Sequence, residues 1–112
     1  MNLRVKKIAS QILKEVSQMI QFELKDPKLG FVTLMECIVS NDYSYAKIFV
    51  TFMDGNDKVE QLQVLNGYSR QFRGELGKRM MIRKIPEISF IIDESYEQGR
   101  RIDDILNKIK KD

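Results

Sequence analysis

The sequence contains no histidine. That removes the side chain most often used as a general base near neutral pH, and the commonest protein ligand for transition metals. It contains one cysteine, Cys37, so no disulfide can close within the chain, and a lone thiol suits a reducing compartment. No apolar run approaches the roughly 18 residues that a membrane-spanning helix needs. Residues 1–7 are basic, yet they lead into an amphipathic segment with neither the apolar core nor the small-residue cleavage site of a secretory signal. The expected location is therefore the cytoplasm, with no membrane partner. No glycine-rich run ends in Gly-Lys-Ser or Gly-Lys-Thr, as a phosphate-cradling loop requires. Linkers, repeats and low-complexity stretches are also missing.

What is present is an ordinary globular balance. Of 112 residues, 43% are apolar and 31% charged, enough for one domain over residues 1–112 with one modest core. Residues 108–112 are expected to fray. Candidate chemistry is sparse. Cys37 lies inside an apolar run with no histidine to activate it, which reads as a structural thiol. Asp93-Glu94 and Asp103-Asp104 gain no further ligands at matching spacing and read as strand-end and helix-start carboxylates. No catalytic residue, metal or cofactor is expected, and the chain does not read as an enzyme.

The hydropathy pattern gives the element order. Val5, Ile8, Ala9, Ile12, Val16, Met19 and Ile20 recur at spacings of three and four, one face of a helix. Asp26-Pro27 ends that helix, because the residue before proline is pushed out of the helical region. Residues 31–40 and 45–52 read as strands, the second alternating cleanly, with Asn41-Asp42-Tyr43-Ser44 as the hairpin turn. Asp57 with Glu60 is a helix start, and helical spacing then continues through Leu62, Leu65, Ser69, Phe72, Leu76 and Met80 to about Lys84. Gly67, Gly74 and Gly77 interrupt it, so two helices are expected to meet between Gly67 and Arg70. Pro86 opens a third strand over residues 88–93, and Ser95 starts a last helix. The order is α-β-β-α-α-β-α, an α+β fold with a three-stranded sheet and all helices on one face.

The net charge is only +3, but its distribution is uneven. Residues 1–14 hold Arg4, Lys6, Lys7 and Lys14 with no acid. Residues 70–84 hold Arg70, Arg73, Lys78, Arg79, Arg83 and Lys84 against Glu75 alone. Such segregation produces a one-sided field that attracts phosphate backbone. The candidate RNA-binding residues are Arg70, Arg73, Lys78, Arg79, Arg83 and Lys84, with Arg4, Lys7 and Lys14 secondary. Gly74-Glu75-Leu76-Gly77 matches the GxxG with which KH domains clamp an RNA backbone. Glu75 would oppose phosphate there and Leu76 is needed on the apolar face. The expected joint is instead Gly67-Tyr68-Ser69-Arg70, with glycine permitting the bend.

Several motifs occur together in order. Lys25-Asp26-Pro27-Lys28-Leu29-Gly30 follows the first helix, then come Val39-Ser40-Asn41-Asp42 and Tyr45-Ala46-Lys47-Ile48-Phe49-Val50. Leu76-Gly77-Lys78, Ile85-Pro86-Glu87-Ile88 with Phe90, and Asp93-Glu94-Ser95 complete the set. Over about residues 4–106 the chain resembles the ribosome-binding factor A family, assembly factors of the bacterial small ribosomal subunit. The resemblance implies a type II KH-like fold with the third strand parallel to one hairpin strand. It also implies binding to the free small subunit and its precursor ribosomal RNA, and support of late maturation of the rRNA 5′ region. Importance during growth in the cold, and release aided by a ribosome-associated GTPase, follow from it too. Family members commonly carry Ala-x-Gly at the helix joint, where this chain has Tyr68-Ser69-Arg70. A monomer is expected. Two other readings stay open: a general KH-type single-stranded RNA binder, and a protein-interaction module docking through Leu13, Phe22 and Leu24 of the first helix.

Overall fold

The computed structural model describes residues 2–53 and 57–93. The last helix expected from Ser95 onward lies outside them, as do Asp54-Gly55-Asn56 and the carboxylates of Glu94, Asp103 and Asp104.

Helix α1, Leu3–Gln18, starts where the Asn2 side chain accepts the Arg4 backbone N–H at 2.9 Å, satisfying one of the unpaired first-turn donors. Its buried stripe is Val5, Ala9, Ile12 and Val16. The helix then widens into a π-helical turn, Met19–Glu23, closed by the Leu24 N–H donating to the Met19 carbonyl at 2.7 Å. Beyond it the Asp26 carboxylate accepts the Lys28 N–H, and Gly30 takes a φ of 58° that a side chain would resist.

Strands β1, Val32–Val39, and β2, Tyr45–Phe52, pair antiparallel from Val39↔Ala46 to Val32↔Phe52. The register shifts at Met35, a bulge that the alternation of the sequence does not announce. Strand β3, Glu87–Ile92, lies parallel to β2, with Ile48 opposite Phe90, giving the order β1-β2-β3. A parallel neighbour requires a crossover, and two helices supply it. Helix α2, Lys58–Gly67, is capped by the Asp57 carboxylate on the Val59 and Glu60 N–H groups. Helix α3 is Ser69–Arg79.

The inner sheet face, Ala46, Ile48, Val50, Ile88 and Phe90, packs against Ile12, Val16, Leu65, Phe72 and Leu76, all buried. Phe72 meets Phe90 edge-on at 5.7 Å between ring centres. Lys47, Phe49, Ser89 and Ile91 lie on the other face, which no described helix covers. This α+β arrangement, a mixed three-stranded sheet with its helices on one side, is the KH-like architecture.

Two expectations about the second half need correction. Helical spacing does not run to Lys84: α3 ends at Arg79, and Met80 is already extended, with φ −109° and ψ 137°. Pro86 forces extended backbone on Ile85, and Met80 is buried as the chain turns back towards β3. Nor does Gly67 supply the bend. It is the last residue of α2, has no positive φ, and has open space where a β-carbon would stand. The direction changes at Tyr68, whose φ of −92° and ψ of 0° suit any residue in a tight turn.

Candidate nucleic-acid interface

An arginine already spent on a carboxylate is poorly placed to bind phosphate, so the partners of each cation decide its role. Arg79 is spent. Its guanidinium donates to both carboxylate oxygens of Glu23 at 2.5 and 2.6 Å, and lies 3.5 Å from Glu15 and 3.6 Å from Glu75. These hydrogen bonds hold Arg79 charged, above its usual range, with Glu23 the main cause. The bidentate pairing joins the end of α3 to α1 and to the π-helical turn. Arg79 therefore works as a tie within the fold.

Arg73 donates through Nε to the Ile85 carbonyl at 3.2 Å, steadying the segment after α3. Lys78 is 4.0 Å from Glu75 and otherwise open. Arg70 stands exposed in the first turn of α3, and Lys7 and Lys14 are two turns apart on α1. Among the described residues, Arg4, Lys7, Lys14, Arg70 and Arg83 have no side-chain hydrogen bond or ion pair.

One cation of the first basic block, Arg4, and two of the second, Arg83 and Lys84, meet in one groove, and the other six candidates do not line it. A groove of about 490 Å³ is lined by Arg4 and Ile8 from α1, Tyr43 from the hairpin turn, and residues 81–84 between α3 and β3. Because α3 stops at Arg79, Arg83 and Lys84 are on this connector and face the same space as Arg4. Lys84 Nζ donates to Ser44 Oγ at 2.9 Å, which fixes the connector against the turn. The nearby Asp42 carboxylate is turned into its own loop, accepting the Ser40 hydroxyl at 2.8 Å and the Ser44 N–H at 3.1 Å. Those bonds, Ser40 first, lower its pKa below the usual 3.8. An aromatic ring, an apolar floor and three cations thus share one groove, the combination that accepts bases and phosphates together. Tyr43 is the member absent from the charge pattern. Its only sequence signal is a bulky residue inside an Asn-Asp-x-Ser turn.

The other candidate features are accounted for inside the fold. The Gly74-Glu75-Leu76-Gly77 match lies within α3 and not between helices, with Leu76 fully buried. The outer edge of β3 is occupied at Phe90, where Asn66 of α2 donates to the carbonyl at 3.1 Å and accepts the N–H at 2.8 Å. The Tyr68 hydroxyl donates to the Asp26 carboxylate at 2.5 Å, so the joint contacts the Asp-Pro turn and not an open surface. Burial, with Glu36 beside it, pushes the Cys37 thiol up to about 12, which keeps it protonated at neutral pH. Leu13 and Leu24 pack against the core, leaving Phe22 alone exposed among the three apolar residues proposed for partner docking.

This sequence and fold have known counterparts. The family model for ribosome-binding factor A matches residues 4–106. The ribosome-binding factor A of Aromatoleum aromaticum is 36% identical over 112 aligned residues, covering 97% of this chain and 87% of its own. The crystal structure of ribosome-binding factor A from Thermus thermophilus superposes with a TM-score of 0.72 at 23% identity, over 79% of this chain and 93% of that one. A Thermus thermophilus ribosome binding factor A homology model, fitted into the cryo-EM map of a 30S complex, gives a TM-score of 0.63 at 24% identity, over 74% and 88% of the two chains. With a family match over nearly its whole length and this fold, the chain belongs to the ribosome-binding factor A family.

Proposed function

We propose that this protein is a ribosome assembly factor that binds immature small-subunit ribosomal RNA and assists late maturation of the subunit, including processing of the rRNA 5′ region. The observation that carries the reading is the family match, supported by the groove that gathers Arg4, Arg83 and Lys84 from separate parts of the chain. A related Thermus factor has been placed on the 30S subunit, and the small subunit is the natural partner here. The protein acts by binding and not by catalysis. It works as a cytoplasmic monomer, matters most in the cold, and is released with the help of a ribosome-associated GTPase. Among the described residues no helix is long and apolar enough to cross a membrane.

Two placements disfavour the reading as a general KH-type binder. The GxxG match is helical, and the β3 edge at Phe90 is filled by Asn66. Sedimentation of tagged protein through a gradient tests the proposal. The protein should travel with free small subunits and their precursors, and not with translating ribosomes. Equal distribution over all ribosomal fractions, or absence from every one, overturns it.

A further inference from the structure

Tyr43 is the one non-glycine residue with a positive φ among the described residues, at 61°. A β-carbon in that conformation crowds the backbone, so such turn positions usually go to glycine, asparagine or aspartate. Asn41 and Asp42 stand immediately before it, yet the strained position holds a bulky aromatic. The hydrogen bonds of the turn do not use the ring. They are made by others: the Ser40 hydroxyl accepts the Ser44 and Tyr45 N–H groups at 3.1 and 3.0 Å, and Tyr43 contributes only its backbone N–H, donated to the Ser40 carbonyl. The tyrosine hydroxyl has no partner among the described residues. The ring is half-buried: one part packs against the hydrophobic core, and the rest lines the groove, with Arg4, Arg83 and Lys84 around it and Ile8 and Ile82 beside it. Met81, in the same wall, is fully exposed, an unusual place for a long apolar side chain.

A paired duplex offers this groove only phosphates, because its bases are stacked and their faces hidden. An unpaired nucleotide offers a flat apolar face as well, and an aromatic ring is the side chain that profits from it. Strain kept at a functional position is a known sign that the side chain is needed there. Resting on the reading of this chain as an RNA-binding protein, we propose that Tyr43 is a stacking platform for an unpaired nucleobase. The groove is thereby selective for a single-stranded nucleotide, with Arg4, Arg83 and Lys84 on its phosphates.

The test measures binding of the full chain to three RNAs: a duplex, the same duplex with an unpaired overhang, and the overhang made abasic. Wild type should prefer the base-bearing overhang by about tenfold over the other two. Tyr43→Phe should keep the preference. Tyr43→Leu retains an apolar side chain and the same backbone constraint, and it should abolish the preference while leaving duplex affinity unchanged. Thermal melts of both variants confirm that they fold. An unaltered preference in Tyr43→Leu, or equal wild-type affinity for all three RNAs, overturns the stacking role while leaving RNA binding intact. Failure of wild type to bind any of them overturns the RNA reading and the stacking role with it.

Discussion

The Tyr68–Asp26 hydrogen bond shows how one residue ties distant segments. It joins the junction of α2 and α3 to the turn that follows α1, a separation of 42 positions. The bond lowers the Asp26 pKa from its ordinary 3.8, with Tyr68 the first cause and the Lys28 N–H the second. It raises that of Tyr68 above its ordinary 10.0. The signs give two pH windows. A carboxyl with a depressed folded pKa stabilises the fold above pH 3.8, and that contribution is lost as pH falls through the folded value. A phenol with a raised folded pKa stabilises below pH 10.0, and the contribution is lost as pH rises through the folded value. Tyr68→Phe should therefore show a shallower dependence of stability on pH in both the acid and the alkaline limb. Urea titrations across pH check this, and a variant with wild-type slopes would show the bond to be irrelevant to stability.

At the scale of elements, the helix pair explains why glycine counting misleads. Gly67 and Gly74 both sit in helical backbone with free space around the missing β-carbon. Alanine at either position should be tolerated or stabilising by about 0.4–1 kcal/mol, because it restricts the unfolded chain without straining the folded one. Proline at Gly67 should cost about 3 kcal/mol or more, since it removes an intrahelical donor and clashes with the preceding turn. Thermal melts of Gly67→Ala, Gly67→Pro and Gly74→Ala decide the order. A destabilised Gly67→Ala would restore the glycine as the source of the bend. The same pair also guards the sheet edge. Asn66 completes the backbone hydrogen bonding of Phe90, and two partly buried backbone groups left unpaired there would cost about 1–3 kcal/mol each.

At the scale of the molecule, the basic residues divide into those paired within the fold and those left open, although they are alike in sequence. Arg79 and Arg83 lie four positions apart, yet one is clasped by three glutamates and the other is open on the groove wall. Arg79→Ala should lower the melting temperature and leave the salt dependence of RNA binding unchanged. Arg4→Ala combined with Arg83→Ala should do the reverse: the slope of log K against log salt should fall by about one per cation removed, at nearly constant melting temperature. Anisotropy titrations over a salt series, with parallel melts, separate the two effects. A reduced slope in Arg79→Ala would mean that the glutamate clasp opens to bind RNA.

Among the described residues, the helices, the hairpin and the parallel third strand were legible in the sequence, as was the family, because period and turn chemistry are local and the motif order spans the chain. Val5 to Val16 at helical spacing, Ala46 to Phe52 in alternation, and Asp57 at a helix start each carry their own instruction. Where α3 stops was not legible, since apolar spacing continues through Met80 and only the return of the chain to β3 makes the helix end at Arg79. The bulge at Met35 was equally hidden, whereas the joint between α2 and α3 falls at Tyr68, inside the expected Gly67–Arg70 stretch, without glycine as its cause. Charge showed which residues were basic, but partners across 56 and 64 positions decided that Arg79 is paired within the fold. The groove itself exists only in the folded chain, where α1, the hairpin turn and the connector before β3 converge. A linear pattern records which side chains are present, and the long-range contacts determine which of them remain free to bind.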